Sequence, residues 1–286
     1  MEFKWYKYGD EGLKDGFDIR KEVFCKEIGF SEEFEFDDSD KNSLHLVCYE
    51  DGHPVCCGRI FPERQGVLHF GRLRRPLKYR GKKYGQATLK EAINKCKQLG
   101  AYKIILGAKY DKKEFYESFG FSEYGEIFYE EEIPHVMMKL ELPVENGFVW
   151  CDYSDKTAKE GFELRRKVFC GEVGFSNDVA FDEKDKIAMH LVEYQDGQVV
   201  GTARVLWENE NTWYFGRLCA SPNLRGKGYG KAIVNEIIRK AKEQNISNLI
   251  LGAKYDKKGF YESLGFRAYG EVFCEEGIPH IMMKKI

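Results

Sequence analysis

The sequence predicts an α/β protein that contains two consecutive copies of one domain, each built on a mixed sheet. An ungapped internal repeat spans most of the chain. Within one copy, the apolar patterns alternate between strand and helix periods in the order β-α-β-β-β-α-β-α-β-β. A glycine-rich segment between a strand and a helix occurs at the same place in both copies, and it indicates where a ligand binds.

The repeat has an offset of 145 residues, and it aligns residues 106–121 with 251–266, which are identical at 14 of 16 positions. Each copy has the size of a domain and is too long to be a solenoid unit. We therefore predict a first copy at 1–142 and a second copy at 146–286. The boundary falls near residues 142–147, a short segment with Pro, Asn and Gly that is typical of a domain boundary.

The elements of the second copy follow from local patterns, and subtracting 145 gives those of the first. Asp196-Gly197 indicates a hairpin turn, Pro222 ends the third long strand, and Gly265 is placed to cap a short helix. The predicted strands are 148–151, 189–194, 199–207, 212–219, 249–252, 266–275 and 279–285. The predicted helices are 155–171, a long helix whose apolar face is Ile233, Val234, Ile237, Ile238 and Ala241, and 257–264.

Composition excludes several classes of protein. The 286 residues carry a formal net charge of −2, so no basic bias points to nucleic acid or to an anionic membrane. No apolar run reaches the roughly 18 residues of a membrane span, and the first residues lack a signal-peptide core. We expect a cytoplasmic protein. The nine cysteines are odd in number and have no metal-ligand spacing, so we expect reduced thiols and no metal site.

The glycine-rich segment of the second copy predicts a site for a phosphate-bearing ligand. Gly226, Gly228 and Gly230 lie between a strand and a helix, where backbone amides and the helix dipole favour an anion, and Arg225 and Lys227 add positive charge. The P-loop and dinucleotide patterns both fail, because the required residues and the G-x-G-x-x-G spacing are absent. A plain strand-to-helix turn remains the alternative for the segment taken alone.

The wider pattern resembles the GNAT acetyltransferase superfamily across nearly the whole of each copy. The features that carry the resemblance are R-x-x-G-x-G at 225–230, the amphipathic helix and strand that follow, and F-Y-x-x-x-G-F at 260–266. More narrowly, the segments at 166–169, 181–185 and 277–280, together with His190, are similar to the small bacterial YjcF/ElaA-type branch. The resemblance implies a mostly antiparallel, twisted sheet flanked by helices in each copy.

The resemblance also implies direct transfer of an acetyl group from acetyl-CoA to an amine of a small molecule. Two neighbouring strands would splay to admit the pantetheine arm, and a backbone N–H near Leu218 or Cys219 would polarise the thioester. A non-catalytic acyl-CoA-binding or sensor protein is the alternative. The implied cofactor-binding residues are Leu218, Cys219, Arg225, Gly226, Lys227, Gly228, Tyr229, Gly230, Lys231, Gly252 and Phe260.

Tyr261 has the position where the family often places the acid that protonates the departing CoA thiolate, and Tyr116 is its counterpart in the first copy. A core aromatic is the alternative for this residue. Cys219 as a covalent nucleophile is a weaker hypothesis, because Arg74 replaces it in the first copy. The candidates for a base or an acceptor-binding group are Glu172, His190, Glu271 and His280, each of which also has a structural interpretation, and water remains an alternative base.

Charged segments offer further hypotheses. The acidic segment of Asp182, Glu183 and Asp185 is either a solvated surface or an attractor for a cationic amine. The first copy carries a basic run, which is either a solvated face or a site for an anionic partner. Its members are Arg72, Arg74, Arg75, Lys78, Arg80, Lys82 and Lys83.

The glycine segment of the first copy is altered, because Lys83 replaces the counterpart of Gly228. Its side chain either crowds a phosphate or binds one. We therefore predict that the second copy is catalytic and that the first is weakened or structural, the two forming a pseudo-dimer within one chain that is itself a monomer or a dimer. The weaker cofactor-binding candidates are Arg80, Gly81, Lys82, Lys83, Tyr84 and Gly85.

Overall fold

The computed structural model describes residues 1–29 and 31–286, and it contains two units, Met1–Pro143 and Val144–Ile286. These units hold the first and the second copy, respectively. Each is an α/β domain with one seven-stranded mixed sheet and helices on both of its faces.

The strands of the first copy are β1 (Glu2–Tyr6), β2 (Leu44–Glu50), β3 (His53–Arg64), β4 (Val67–Arg74), β5 (Lys103–Lys109), β6 (Ser122–Glu130) and β7 (Ile133–Glu141). Its α-helices are α1 (Leu13–Arg20), α2 (Glu32–Glu35), α3 (Tyr84–Gln98) and α4 (Lys113–Glu117). A π-helix at Lys21–Ile28 continues α1, and 3₁₀ turns lie at Asp38–Asn42, Leu77–Tyr79 and Tyr110–Lys112.

The strands of the second copy are β8 (Gly147–Asp152), β9 (Met189–Gln195), β10 (Gln198–Asn209), β11 (Thr212–Ala220), β12 (Asn248–Lys254), β13 (Arg267–Glu275) and β14 (Ile278–Lys285). Its α-helices are α5 (Lys156–Arg166), α6 (Asn177–Ala180), α7 (Tyr229–Glu243) and α8 (Lys258–Glu262). A π-helix at Lys167–Glu172 continues α5, and 3₁₀ turns lie at Glu183–Ile187, Pro222–Leu224 and Tyr255–Lys257.

The two sheets have the same topology. The strand order is β1-β2-β3-β4-β5-β7-β6 in the first and β8-β9-β10-β11-β12-β14-β13 in the second. One neighbouring pair in each sheet is parallel, β4 with β5 and β11 with β12, and the other pairs are antiparallel. This arrangement confirms the predicted sheet.

The sheet of the second copy buries a different set of side chains on each face. On one face, the main core packs Trp213, Phe215 and Leu251 against α7 and α8. On the other face, Leu164 of α5 and Val168 of the π-helix pack on Cys219 of β11. A ligand bound at this sheet would therefore meet different side chains on the α7/α8 face and on the α5 face.

Two predicted elements differ from the structure. The helix expected at 155–171 begins at Lys156 and becomes a π-helix from Lys167 to Glu172. A single π-turn of this kind changes the direction of side chains within a helix, and such insertions are frequent at functional sites. The segment expected as an acidic loop forms a capped 3₁₀ turn in which the side chain of Asp182 accepts from the amide of Lys184.

Among the residues that the structure describes, no helix is both long and apolar enough to cross a membrane.

Candidate active site

Strands β11 and β12 diverge after a short paired stretch. Their parallel pairing runs from Thr212 opposite Asn248 to Tyr214 opposite Ile250, while β11 continues to Ala220 and β12 to Lys254. The sheet therefore opens toward the carboxyl ends of both strands, as the sequence predicted. The first copy opens at the equivalent point, where pairing of β4 with β5 ends at His69.

A β-bulge lies on the open part of β11. Thr202 and Arg204 of β10 pair with Cys219 and Gly216 of β11, so the stretch of β11 between these pairs is one residue longer than that of β10. Within the longer stretch, Arg217 has a φ of 50°. A bulge interrupts the ladder and frees backbone groups of the bulged strand. It therefore lies at the segment, around Leu218 and Cys219, for which a free backbone N–H was predicted.

The glycine segment follows β11 and leads into α7. Gly226 and Gly228 have φ values of 77° and 94°, and no other atom lies within 4 Å of the point where a side chain would begin on either residue. The first amides of α7, beginning at Tyr229, have no acceptor within the helix. The segment is thus an open turn whose amides can donate hydrogen bonds to an anion.

A cleft of about 800 Å³ extends from this turn through the open part of the sheet. Its lining includes Phe260 and Tyr261 from the α7/α8 face, and Tyr214 and His280, which alternate along their strands with core residues of that face and so lie on the opposite face. Side chains from both faces of the sheet therefore line one cleft. The predicted cofactor-binding residues on the cleft are Leu218, Cys219, Arg225, Gly226, Gly228, Tyr229, Gly230, Lys231, Gly252 and Phe260, whereas Lys227 is not part of the lining.

Tyr261 lies on α8 at the α7/α8 side of the cleft and is 9% exposed. Burial is the main reason that its pKa is raised above the usual value, so the hydroxyl keeps its proton at neutral pH. This hydroxyl makes no hydrogen bond to any group in the described parts of the chain. A buried phenol usually has a partner, so the free hydroxyl beside a cleft is available to a ligand.

His280 lies at the opposite side of the cleft, at the start of β14, and is 8% exposed. Its Nδ1 is 2.8 Å from the carbonyl oxygen of Ile278, and its ring stacks on Phe273 at 5.8 Å between centroids. A carbonyl oxygen only accepts hydrogen bonds, so Nδ1 carries the proton and Nε2 of the neutral ring has a free lone pair. Sequence reasoning included His280 as a candidate but had no means to identify its tautomer.

Glu172 lies at the end of the π-helix and pairs with Arg225 of the glycine segment. The second contact of this pair, from Nη2 to Oε2, is 2.8 Å. The pKa of Glu172 is lowered mainly by this hydrogen bond. A carboxylate held in this way is a poor base, so the prediction of Glu172 as a base is not supported.

The structure places His190 and Glu271 away from the cleft. His190 is 2% exposed, and its Nε2 is 2.8 Å from the carbonyl oxygen of Asp185. Burial lowers its pKa, and it packs edge-on against Phe162, so it is a core histidine. Glu271 is exposed on β13 and is not part of the cleft lining. Neither placement supports the predicted role as a base.

The acidic segment is a solvated surface at Glu183, which is exposed, but neither interpretation fits Asp182 and Asp185. Asp185 is 1% exposed and binds Arg165 and Arg204 at 2.8 Å and 3.1 Å. Asp182 binds Arg204 at 2.6 Å and Arg217 of the bulge at 3.2 Å. These carboxylates therefore neutralise buried arginines and hold the bulge in position, and they do not face an acceptor.

Cys219 lines the cleft, but its thiol is 5% exposed and burial raises its pKa to about 12. A thiol that keeps its proton is a poor nucleophile. The hypothesis of a covalent intermediate on Cys219 is therefore not supported. Gly252, on the opposite strand, donates its amide to the hydroxyl of Tyr214 at 3.4 Å, across the point where the strands diverge.

In the first copy, arginines occupy the positions that small residues have in the second. Arg74, the counterpart of Cys219, binds the fully buried Glu35 at 2.9 Å. A guanidinium nitrogen of Arg75, the counterpart of Ala220, lies 3.1 Å from the point where a side chain on Gly85 would begin. Lys83, in place of a glycine, has a φ of 63°, so the turn keeps its shape despite the side chain.

The basic run of the first copy is mostly paired within the domain. Besides the Arg74 pair, Arg72 binds Asp37 at 2.8 Å and Arg80 binds Glu27 at 2.5 Å. Arg72 and Arg74 therefore lie neither on a solvated face nor at an open anion site, whereas Arg80 is exposed beside its carboxylate partner. Sequence reasoning missed Glu35. The available signal was that the second copy has Ala180 in place of Glu35 and Cys219 in place of Arg74, so both members of the ion pair change together.

In the described residues, no group of three or more His, Cys, Asp or Glu side chains is arranged to hold a metal ion. The nine cysteines are free thiols, of which Cys274 is exposed.

Comparison with known proteins agrees with this geometry. An acetyltransferase (GNAT) domain profile matches residues 6–142 and again 158–286. A candidate acetyltransferase of Bacillus subtilis is 38% identical over 135 residues, which are 46% of this chain and 91% of that protein. YjcF of Bacillus subtilis, an uncharacterized N-acetyltransferase, is 28% identical over 134 residues, 46% of this chain and 94% of its own length.

The crystal structure of Escherichia coli ElaA is similar over 49% of this chain and 99% of its own, with 24% identity and a TM-score of 0.45. The matches to YjcF and ElaA agree with the branch that the sequence indicated. Because the family profile covers most of both copies, the chain belongs to the GNAT acetyltransferase family and carries two domains of that family in tandem.

Proposed function

We propose that the second copy transfers an acetyl group from acetyl-CoA directly to the amine of a small molecule. The observation that carries the proposal is the cleft itself, which places an unbonded phenol and an imidazole with a free lone pair on opposite faces of one opened sheet. Direct transfer requires one group that gives a proton to the departing thiol and one that takes a proton from the attacking amine.

The donor side fits a CoA thioester. The open turn at Gly226 and Gly228 leaves room for phosphate oxygens next to backbone amides. Beyond the turn, a side chain on Gly230 would begin 3.7 Å from Phe260 and 3.9 Å from Leu218, and the glycine leaves the space between them open. The separated strands expose backbone groups that a pantetheine amide can bind like a partial strand.

Tyr261 is proposed as the acid on the donor side. Its hydroxyl is buried, protonated and without a partner, so it can donate to a sulfur that develops negative charge. The bulge at Arg217 supplies the other element of the proposal, a backbone N–H around Leu218 or Cys219 that polarises the thioester carbonyl.

His280 is proposed as the base on the acceptor side. The carbonyl of Ile278 holds a proton on Nδ1, so in the neutral ring the lone pair is on Nε2, and the ring also stacks on Phe273. Fixing one tautomer by a second hydrogen bond is how proteins commonly prepare a histidine for proton transfer. His280 can thus take a proton from an ammonium or from the amine as it attacks.

The test is a search for acetylated product. The full chain is incubated with acetyl-CoA and a pool of small amines, release of free CoA thiol is followed, and products heavier by one acetyl group are identified by mass spectrometry. We expect thiol release that depends on an amine, with a matching product. Tight CoA binding without any acetylated amine would contradict the proposal and favour the non-catalytic acyl-CoA-binding protein.

A further inference from the structure

The α5 side of the cleft contains more apolar surface than proton transfer requires. This wall is formed by the π-helix, the loop after it and α6, and it faces Tyr214 and His280 across the cleft. We call it the apolar wall, and its members are Val168, Phe169, Val173, Phe175 and Val179. Except for Val168, these side chains are only partly buried, although all are large and apolar.

The π-helix explains why the wall points into the cleft. Helix α5 ends at Arg166, and the wider turn from Lys167 to Glu172 continues it beside the open sheet. Phe169 and Phe175 then stack at 6.2 Å between centroids with their planes 19° apart. Together with the valines of the wall, these rings give this side of the cleft an apolar lining, which favours an aromatic or branched apolar group.

Ion pairs account for most of the charged groups around the cleft. Glu172 is held by Arg225, Arg217 by Asp182, and Asp256 by Lys257 at 2.7 Å. These pairs leave little local charge to select a highly charged acceptor.

The charges that remain on the α5 side suit a single ammonium group. Glu275 and Glu276 line the cleft at its exposed rim, near the buried His280, and have no ion pair in the described parts of the chain. The ammonium of Lys254 lies over the ring of Phe175 at 5.4 Å, so this ring already holds one cation on its face. Two rim carboxylates beside one lysine favour a monocation over a polycation.

We propose that the acceptor is an apolar primary amine, with an aromatic or branched body against the apolar wall and one amino group at His280. This inference rests on the proposed acetyl transfer and specifies its acceptor. An aminosugar would leave several hydroxyl groups against apolar side chains without partners, and a polyamine would desolvate a second ammonium there. Both costs select against polar acceptors of similar size.

The test compares three primary amines, phenethylamine, 1,4-diaminobutane and glucosamine, as acceptors for the full chain at saturating acetyl-CoA. We expect kcat/KM for phenethylamine to exceed the other two at least tenfold, within the range that one apolar pocket supplies. Equal or faster turnover of the diamine or the aminosugar would overturn the inference while leaving acetyl transfer intact. Turnover of no amine, in this set or in a wider pool, would instead contradict the proposed function.

A matched pair of variants tests the wall directly. Phe169→Ala is expected to lower kcat/KM for phenethylamine about tenfold, to change the values for the polar amines less, and to leave CoA affinity by calorimetry unchanged. Phe24→Ala, the same change at the equivalent position of the first copy, is expected to leave all of these values unchanged. An equal loss on all three amines would indicate a structural role for Phe169 and overturn the inference.

Discussion

The two copies share one fold and one register, yet they differ at the opening of the sheet. In the second copy, Cys219 and Ala220 follow the bulge, and the cleft passes between the strands. In the first copy, Arg74 and Arg75 have these positions, and Arg74 reaches the buried Glu35. We infer from this difference that an acyl-CoA site on this scaffold needs small side chains after the bulge as well as an open sheet.

The proposed acid and base separate the copies less clearly than the opening of the sheet does. Tyr261 is buried and Tyr116 is partly buried, and desolvation raises the pKa of Tyr116 to about 12. His135 repeats the contact of His280, with its Nδ1 2.9 Å from the carbonyl oxygen of Ile133. The first copy thus retains residues of the proposed chemistry, whereas its sheet opening carries large cations. The following predictions test whether this difference makes one copy active.

The largest expected effect is on turnover. Tyr261→Phe removes the proposed acid and is expected to lower kcat about 10³-fold, within the usual range for general acid catalysis. The measurement is thiol release with an accepted amine, and CoA affinity should stay unchanged. Tyr116→Phe is the matched control and should keep full activity. A large loss in the control, or none at Tyr261, would reverse the assignment of the active copy.

The second prediction concerns the buried ion pair that distinguishes the first copy. Glu35→Ala leaves Arg20, Arg72 and Arg74 without one of their buried partners, and it should destabilise the first copy by about 3 kcal/mol. Hydrogen exchange should rise around β4 but not around β11, and acetyl transfer should continue.

The double variant Glu35→Ala with Arg74→Cys reproduces the pair that the second copy has, Ala180 with Cys219. It should recover part of the lost stability, because the unpaired guanidinium is removed with its partner. Equal or greater destabilisation in the double variant would show that Arg74 is held by other contacts.

The third prediction concerns Glu193, whose counterpart in the first copy is Cys48. This carboxyl is 8% exposed, its Oε2 has no hydrogen-bond partner, and burial raises its pKa to about 7. As pH rises from 4.5 to 7, the unfolded chain loses this proton before the folded chain does, so the free energy of unfolding falls across that window.

Glu193→Gln removes this titration. It should stabilise the second copy relative to the unmodified chain, by about 2 kcal/mol more at pH 8 than at pH 5, since one pKa unit corresponds to about 1.4 kcal/mol. The measurement is unfolding in denaturant at both pH values. A stabilisation that does not change with pH would show that the Glu193 carboxyl does not titrate in this range.

The smallest expected effect tests the glycine segment. Gly228→Lys introduces the residue that the first copy has and should weaken CoA binding about tenfold, because a side chain then enters the open space above the amides. Calorimetry gives both the affinity and the number of sites. Lys83→Gly is the reciprocal change and should leave one site per chain, since Arg75 still lies beside Gly85. Two sites in the unmodified chain would contradict the comparison.

Much of the fold could be predicted because its signals are local. The Asp196-Gly197 turn, the apolar face of α7 and the cap at Gly265 each depend on a few neighbouring residues, and the repeat doubled every observation. The π-helix could not be predicted, because its sequence has the same apolar spacing as an α-helix and the wider turn depends on packing against the sheet.

The site was only partly predictable for the same reason. The glycine segment and Tyr261 are recognisable from spacing along the chain. The roles of the acidic residues are not, because whether Asp185 meets an arginine or water depends on residues about 20 positions away. Likewise, His190 and His280 look alike in sequence, and only burial and hydrogen bonding separate a core histidine from one with a free nitrogen beside a cleft.

Periodicity, turn residues and internal repetition thus specify two similar sheets and one open glycine turn, since each is a property of a short stretch of chain. Long-range pairing specifies which opening stays accessible. It places Arg74 on Glu35 in one copy and packs Cys219 against Leu164 and Val168 on the α5 side in the other. The charge of a buried arginine must be neutralised where the folded chain brings a carboxylate to it, and that place is defined only once the strands and helices have packed.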